Sequence, residues 1–598
     1  MKSCGRLILP LLSLLFIVAG CSQKIEPIKS KDTQSTLQYQ QQPAQHHIAA
    51  SKSANSNFNQ IGHLLLAAQA YLEAHQINQA NSLLTSLSDK VSLDSRLKYK
   101  HQYLTAKFLQ LTDNNDQALL ILDDLKTKPL STYQKDEVLF LASSIYQLTG
   151  QPLEQVENLT QLSPASTTPL VNEQIWQAIS KLPLSTLELF QQQANYTFQG
   201  WLDLGRVTQR NMSQPDVLKQ QLLLWQQQYL NHPAAIQLPS NLQAAIEVEA
   251  YQPNAVAVIL PLQGKLVQQA QAIRNGILTK LYQIPVEQRP VVHFIDSEQG
   301  LELAYQQVQN LGSEFVIGPL LRSEVDESLT LNNQPQNQLF LNYPQQLKAD
   351  SHKYYFSLSP NTEAENAANY LFGQGIKRPI VIHKQNSTSQ RMFDTFSQQW
   401  YQHTGVQVES YKYKNSRDLK DIVAKALGSA DSLTRINKIK NLLNVAVEAD
   451  FRSRTDVDGI YLIASGQEVK LIKPFIDVNL SRAGTKIKTF TASRANLPAA
   501  QLGRELNGMM INDMPIIFSD NEQAKLIAKV WPQWGLSQKR LFAFGYDALA
   551  LIPQLAQMKV FNEYQFSGLS GALTSEANGQ IKAQQAWGQV YNKRLIKQ

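Results

Sequence analysis

Between Ala255 and Leu260 the chain reads AVAVIL, a run of small and branched apolar residues with no polar interruption. A run without alternation fits a strand buried on both faces of a parallel sheet. Pro261 cannot donate to a sheet ladder and ends the strand, and Gln263-Gly264 makes the turn. Leu266, Ala270, Ile273 and Ile277 then recur at helical spacing and form one apolar face. Strand, tight loop and helix make the first half of a βαβ unit. A parallel sheet needs further crossovers, and the chain downstream supplies them.

Strands are expected at Val291–Ile295, Phe315–Ile317, Gln338–Leu341 and Tyr354–Leu358, with helices at Leu301–Leu311, from Ser323 and from Glu363. A second set follows: strands at Pro379–Ile382, Val406–Tyr411, Ile460–Ala464 and Lys488–Thr491, and helices at Arg391–Tyr401 and Gln467–Phe475. Arg540–Phe544 then leads into Gly545-Tyr546-Asp547-Ala548 and one more helix. Strand–helix alternation in two blocks predicts a domain over 251–598 built from two doubly wound α/β lobes. The first lobe spans about 254–358 and 520–564, the second about 362–513 and 570–598.

At 598 residues the chain is too long for one core. Its start points to a location. Lys2 and Arg6 precede an apolar run from Leu7 to Gly20, too short to span a bilayer comfortably and suited to a secretory signal over residues 1–20. Val18-Ala19-Gly20-Cys21 resembles a bacterial lipoprotein box. That resemblance implies cleavage between Gly20 and Cys21, a diacylglyceryl group on the thiol and an acyl chain (palmitate) on the new amino terminus. With Ser22 next, it also implies sorting to the periplasmic face of the outer membrane. Each buried CH₂ contributes about 0.8 kcal/mol, so three chains would anchor the protein essentially permanently. Of the two cysteines, Cys4 would leave with the signal and Cys21 would carry lipid, leaving no thiol to oxidise in the periplasm.

From Cys21 to residue 57 the composition is polar and of low complexity, as in QSTLQYQQQPAQHH, and reads as a disordered tether. Its ~35 residues would have a root-mean-square span of about 30–35 Å. His46-His47 has no third ligand nearby and reads as a solvated pair, so no metal site is expected. Residues 58–250 read as an all-α domain. Ala68, Tyr71, Ala80, Leu84 and Leu87 resemble the packing positions of a tetratricopeptide unit. A second unit aligns Ala106, Leu109, Ala118, Leu122 and Leu125, and a third runs from Val138 through Tyr146 to Leu162. Further helices are expected at Glu173–Leu182, Ser185–Gln193 and Asp216–Tyr229, with Trp176, Trp201 and Trp225 as core aromatics. Such an array is either a concave partner-binding arm or a helical spacer. Proline punctuates the junction between His232-Pro233 and Gln252-Pro253.

The α/β half carries a family resemblance. PLQG at 261–264 followed by RNG at 274–276 is similar to the opening of type I periplasmic-binding-protein folds. So are IGPL at 317–320, FSLSPN at 356–361 and FGYDALALI at 544–552, while FSGLSGAL at 566–573 resembles that fold's last crossover into its second lobe. The whole order of lipoprotein box, tether, tetratricopeptide-like arm and two-lobed domain resembles the LpoA family of penicillin-binding-protein activators. WQQQYLNHPA at 225–234 looks like that family's interdomain junction. The resemblance implies a non-enzymatic, cofactor-free outer-membrane lipoprotein that activates a class A penicillin-binding protein in peptidoglycan synthesis, and so supports cell-wall biogenesis and cell shape. A lipid-anchored solute-binding protein that captures an amino acid or muropeptide is the rival reading.

Motif by motif, no catalytic set emerges. There is no H-E-x-x-H, C-x-x-C, G-x-S-x-G or phosphate-loop signature. Ser95 and Lys98 have the S-x-x-K spacing of a penicillin-binding nucleophile but lie in the helical arm with no K-T-G partner. A small molecule would enter the cleft between lobes. Its candidate lining is Gln263, Gly264, Pro319, Asn361, Tyr546 and Asp547, although Asp547 reads more naturally as the cap of its own helix. Basic residues gather at Lys412, Lys414, Arg417, Lys420, Lys438 and Lys440, either a solvated face or a contact for acidic groups on the synthase or on peptidoglycan. A formal charge of +7 without a block of like charges argues against nucleic acid as a partner.

Overall fold

The computed structural model describes Leu37 and residues 41–91, 94–190, 195–443, 450–481, 487–561 and 564–598. The signal segment, the Gly20–Cys21 junction and most of the expected tether lie outside the described residues. The rest forms two compact units: residues up to Arg206 together with Trp225–Pro239, and Val207–Leu224 together with Ser240–Gln598.

The first unit is helical from Ala44, not from residue 58. A helix at Ala44–Lys52 seats Ala44 and Ile48 on Ala67, Ala70 and Tyr71. Its buried stripe is Ala44, His47 and Ser51, spaced as one helical face but made of small and polar residues, so hydropathy alone does not reveal it. His47 is therefore buried, at 4% exposure, with its ring stacked on His63, and the expected solvated pair is half wrong. Three helical hairpins follow: Asn57–Glu73 with Ile77–Leu87, Ser95–Leu111 with Asn115–Lys126, and Thr132–Leu148 with Pro152–Leu159. Ala68, Ala80, Ala106 and Ala118 have no exposed surface, as close helix approach requires, and Leu84, Leu87, Leu122 and Leu125 fill the space between. The hairpin turns repeat as well: His75, Asp113 and Gly150 each take a left-handed backbone, with φ of 55°, 58° and 71°. That conformation lets the chain leave one helix and start the next.

Helices at Pro169–Ile179 and Leu184–Leu189 continue the array, and Trp176, Trp201 and Trp225 are buried. The sequence reading assigned no helix around Trp201, yet Tyr196–Asn211 forms one. Gly200 and Gly205, which weaken helix propensity, sit where neighbours come too close for a Cβ: the His232 ring at Gly200 and Ile179 at Gly205.

The second unit holds the two lobes. In the first, β1 (Ala255–Leu260), β2 (Val291–Asp296), β3 (Phe315–Ile317), β4 (Gln338–Phe340) and β5 (Lys353–Phe356) pair in parallel in the order 2-1-3-4-5. In the second, β6 (Pro379–Lys384), β7 (Glu409–Tyr413), β8 (Gly459–Ile463), β9 (Lys488–Thr491) and β10 (Met510–Asp513) repeat that order as 7-6-8-9-10. This is doubly wound topology twice over, and Val256–Leu260 are fully buried as an inner strand demands.

The C-terminal segment departs from expectation. Arg540–Phe544 does not precede the last expected helix but belongs to it: Leu536–Leu551 runs unbroken through Gly545. Gly545 lies against the Ile273 backbone and Gly276 against the Phe542 backbone. These motif glycines let the Leu536–Leu551 and Val267–Gln283 helices cross in near-backbone contact. Beyond it, β11 (Phe566–Ser567), β12 (Ala572–Ser575) and β13 (Gln580–Gln584) extend the first sheet, while β14 (Ala586–Tyr591) and β15 (Arg594–Lys597) extend the second. The crossover to the second lobe thus falls at Gln585, not at 566–573. β13 has a parallel place beside β5 and keeps residues 570–584 in the first lobe.

Candidate functional site

In doubly wound sheets ligands meet the carboxyl ends of the strands where strand order reverses. In the first lobe that point lies between β1 and β3. Gln263, Gly264 and Pro319 are there, on the turns that end these strands. Gln263 and Gly264 are exposed and Pro319 is buried. Gly264 takes φ +72°, and a Cβ there would lie 3.2 Å from a Glu298 carboxylate oxygen. Asn361 stands at the start of the helix Pro360–Gly373, where the chain first crosses to the second lobe, and its N–H donates to the Ser359 hydroxyl.

The other two expected lining residues are not at that edge. Tyr546 donates its hydroxyl to Gln283 Oε1 at 2.5 Å. Gln283 ends a helix that begins beside the β1 turn and runs away from it, so this contact is at the opposite end of the lobe. Asp547 is neither a helix cap nor a ligand arm. It lies inside the Leu536–Leu551 helix, fully buried. Its Oδ1 accepts from Leu569 N–H at 2.9 Å and its Oδ2 from Ser570 N–H at 2.7 Å and the Ser570 hydroxyl. Burial pushes its pKa up to about 6, against the opposing pull of those hydrogen bonds. Gly568 is obligatory in this loop, because a Cβ would collide with the Asp547 carboxylate.

Sequence reasoning missed the main polar network between the lobes. Arg540, on the first lobe's Leu536–Leu551 helix, makes a two-pronged ion pair with Asp513 at the end of β10: Nε to Oδ1 at 2.8 Å and Nη2 to Oδ2 at 2.6 Å. Its Nη2 also donates to the Ser493 carbonyl at 2.8 Å, beyond the end of β9. Asp513 further accepts from Asn496 Nδ2 at 2.7 Å and Met514 N–H at 2.8 Å. The Ser493 hydroxyl donates to Glu363, whose carboxyl is raised by burial. A second strap lies on the β13 side. Lys582 bridges Glu365 and Glu576, each at 2.8 Å, and Asn366 Nδ2 donates to the Ala583 carbonyl at 2.6 Å. The arrangement holds the two lobes together.

The basic residues sit on the second lobe's surface. Lys412, Lys414, Arg417, Lys420 and Lys438 are exposed, and Lys440 is half-buried. None makes an ion pair among the described residues. Arg454, by contrast, is tied to Glu409 at 2.6 Å and Asp456 at 2.7 Å, so it belongs to the structure of that lobe. The S-x-x-K pair is open to solvent, with Ser95 and Lys98 both exposed on one helix. Among the described residues no group of three His, Cys, Asp or Glu side chains could hold a metal ion.

A cavity of about 590 Å³ lies away from the strand-end cleft. It lies at the opposite edge of the first sheet, between Glu249–Pro253, the starts of β3 and β5, and Lys559. Tyr251 and Tyr354 share a hydroxyl contact at 3.3 Å across its floor.

The family model of the LppC lipoproteins matches residues 40–593. A penicillin-binding protein activator LpoA from Photobacterium profundum is 29% identical over 596 residues, covering 98% of this chain and 96% of that protein. The LpoA of Aliivibrio fischeri is 28% identical over 605 residues, covering 98% and 97%. Among solved structures, Haemophilus influenzae LpoA in a monoclinic form is similar with a TM-score of 0.72 at 22% identity, covering 94% of this chain and 99% of that one. Another full-length LpoA structure from H. influenzae gives a TM-score of 0.67 at 21% identity, with the same coverage. At such identities the structural likeness speaks for the fold: a helical region followed by a two-lobed binding-protein-like domain. The family match spans both, and on that ground this chain belongs to the LppC lipoprotein family.

Proposed function

We propose that this chain is a non-enzymatic activator of peptidoglycan synthesis. Held at the periplasmic face of the outer membrane by acyl chains on Cys21, it binds a class A penicillin-binding protein and stimulates its transpeptidase. The observation that carries the reading is coverage: relatives named as penicillin-binding protein activators align with 98% of this chain, helical arm and lobes together. The inter-lobe network adds support of another kind. Arg540 and Asp513 spend their charges on each other, which suits a docking body better than a capture device.

Activation on this reading is a coupling free energy, in which the activator binds the synthase's active conformation more tightly than its inactive one. A coupling of about 1–3 kcal/mol would shift the synthase's equilibrium toward its active conformation about 5–150-fold. The exposed Lys412, Lys414, Arg417, Lys420 and Lys438, with the half-buried Lys440, offer a surface for acidic groups on the synthase or for peptidoglycan carboxylates.

The test is reconstitution of the chain with a class A penicillin-binding protein from the same organism, following glycan polymerisation and peptide cross-linking separately. A rise in cross-linking is expected. If no complex forms and cross-linking is unchanged, while an amino acid or muropeptide raises the melting temperature, the chain is a solute-binding lipoprotein instead.

A further inference from the structure

The turn after the helix Glu522–Val530 carries an aromatic pair that the proposed function leaves unused. Trp531 and Trp534 stack face to face, with centroids 4.4 Å apart and planes 4° from parallel. Their backbones close the turn, with Trp534 N–H donating to the Trp531 carbonyl at 3.0 Å. Both rings lean on Phe542 of the first lobe, at 5.9 and 6.2 Å. Neither is buried: each keeps a part of its surface in solvent, Pro532 and Gln533 between them are exposed, and the neighbouring Val530 is 49% exposed.

Basic charge lies nearest this apolar patch. Lys525 and Lys529 are exposed one turn apart on a single helix face, and neither makes an ion pair among the described residues. Lys539, three residues before Phe542, is half-buried and likewise unpaired among them. The exposed acids of this segment, Asp520 and Glu522, stand at the start of the helix, farther along the chain from the tryptophan turn than either lysine.

We propose that Trp531, Trp534 and Val530, flanked by Lys525 and Lys529, form a docking surface for an acidic segment of the partner protein. An apolar or aromatic residue of that segment would lie on the tryptophan pair, and its carboxylates would face the two lysines. Tryptophans are frequent centres of binding energy at interfaces, and complementary charge nearby speeds encounter. The inference rests on the activator reading, since the partner it serves is the synthase.

The experiment compares the full chain in detergent with Lys525→Glu/Lys529→Glu and with Val530→Asp, two variants whose changed side chains are exposed. Binding to the class A penicillin-binding protein is measured against salt concentration. The double reversal is expected to weaken binding tenfold or more at low salt and flatten its salt dependence, and Val530→Asp to weaken it several-fold at all salts. Unchanged affinity and salt slope in both variants, with the unmodified chain binding, overturn this surface and leave the activator reading intact. If the unmodified chain binds no such synthase, the activator reading falls and this docking surface falls with it.

Discussion

Arg540 reaches out of the first lobe to grip Asp513 of the second, both carboxylate oxygens engaged at 2.8 and 2.6 Å, with Asp513 wholly shielded from solvent. Removing the guanidinium would leave a buried carboxylate with only Asn496 and Met514 for company. Breaking a buried pair in this way typically costs about 3–5 kcal/mol. Arg540→Ala should therefore lower the melting temperature of the α/β unit. It should also widen the distance distribution between labels at Lys348 and Lys488, exposed positions on the two lobes. Arg540→Lys should recover only part of the loss, because an ammonium cannot make both prongs. An unchanged melt and an unchanged distance distribution in Arg540→Ala would show that the lobes are held by their other contacts alone.

Gly200 carries the same kind of argument into the helical unit. A Cβ placed there would lie 2.5 Å from His232 Cδ2 and 3.1 Å from the Tyr229 ring. The His232 ring cannot swing away, since Nε2 meets the Thr197 carbonyl at 2.9 Å and Nδ1 accepts from Ala234 N–H at 3.1 Å. Gly200→Ala should cost about 1–3 kcal/mol by overpacking, although alanine is the better helix former. Thermal unfolding followed by circular dichroism measures it, and a stabilised variant would show that the ring yields.

These two sites mark the limits of sequence reading. Unbroken apolar runs such as Phe315–Ile317 announced their strands, because a strand inside a parallel sheet has no other composition open to it. The small-residue positions of the hairpins, Ala80 and Ala118, were equally plain. Where a rule of propensity met a tertiary need, the sequence misled. No helix is expected around Gly200 and Gly205, and the last helix is expected only beyond Phe544, yet Gly200, Gly205 and Gly545 all sit within helices, where a neighbour occupies the space of a side chain. The helix Ala44–Lys52 hid behind histidine and serine. Of the expected cleft residues, Tyr546 and Asp547 were misplaced because their partners, Gln283 and Ser570, are distant from them in sequence. Arg540 and Asp513 are 27 positions apart with no periodicity linking them, so only the folded lobes bring them together.

The repeated turns of the helical hairpins give a prediction of opposite sign. His75 and Asp113 hold φ of 55° and 58° at positions where the third hairpin has Gly150. A side chain in that region costs about 1–2 kcal/mol relative to glycine, partly offset by the glycine's freer unfolded chain. His75→Gly and Asp113→Gly should each raise stability by about 1 kcal/mol, and Gly150→Ala should lower it by a similar amount. Urea midpoints of the three variants decide it. Destabilisation in both glycine variants would mean that these side chains make contacts outweighing the backbone term.

Acid should loosen the same helical unit through His232. Its ring is buried among Trp201, Trp225 and Tyr229, and burial pushes its pKa down to about 4, only partly opposed by the Thr197 carbonyl. The folded value is thus below the unfolded one of about 6.5. Above pH 6.5 the ring is neutral in both states and the unit keeps its full stability. As pH falls from 6.5 toward 4, only the unfolded chain takes up the proton, and stability drops by about 1.4 kcal/mol per pH unit. Below about 4 the folded ring is protonated too and this contribution levels off. The melting temperature of the helical unit should fall between pH 6.5 and 4, and His232→Gln, lower at neutral pH for want of the ring's packing, should lose that part of the slope. If the variant and the unmodified chain show parallel pH profiles, other groups carry the acid sensitivity and the His232 ring is not its source.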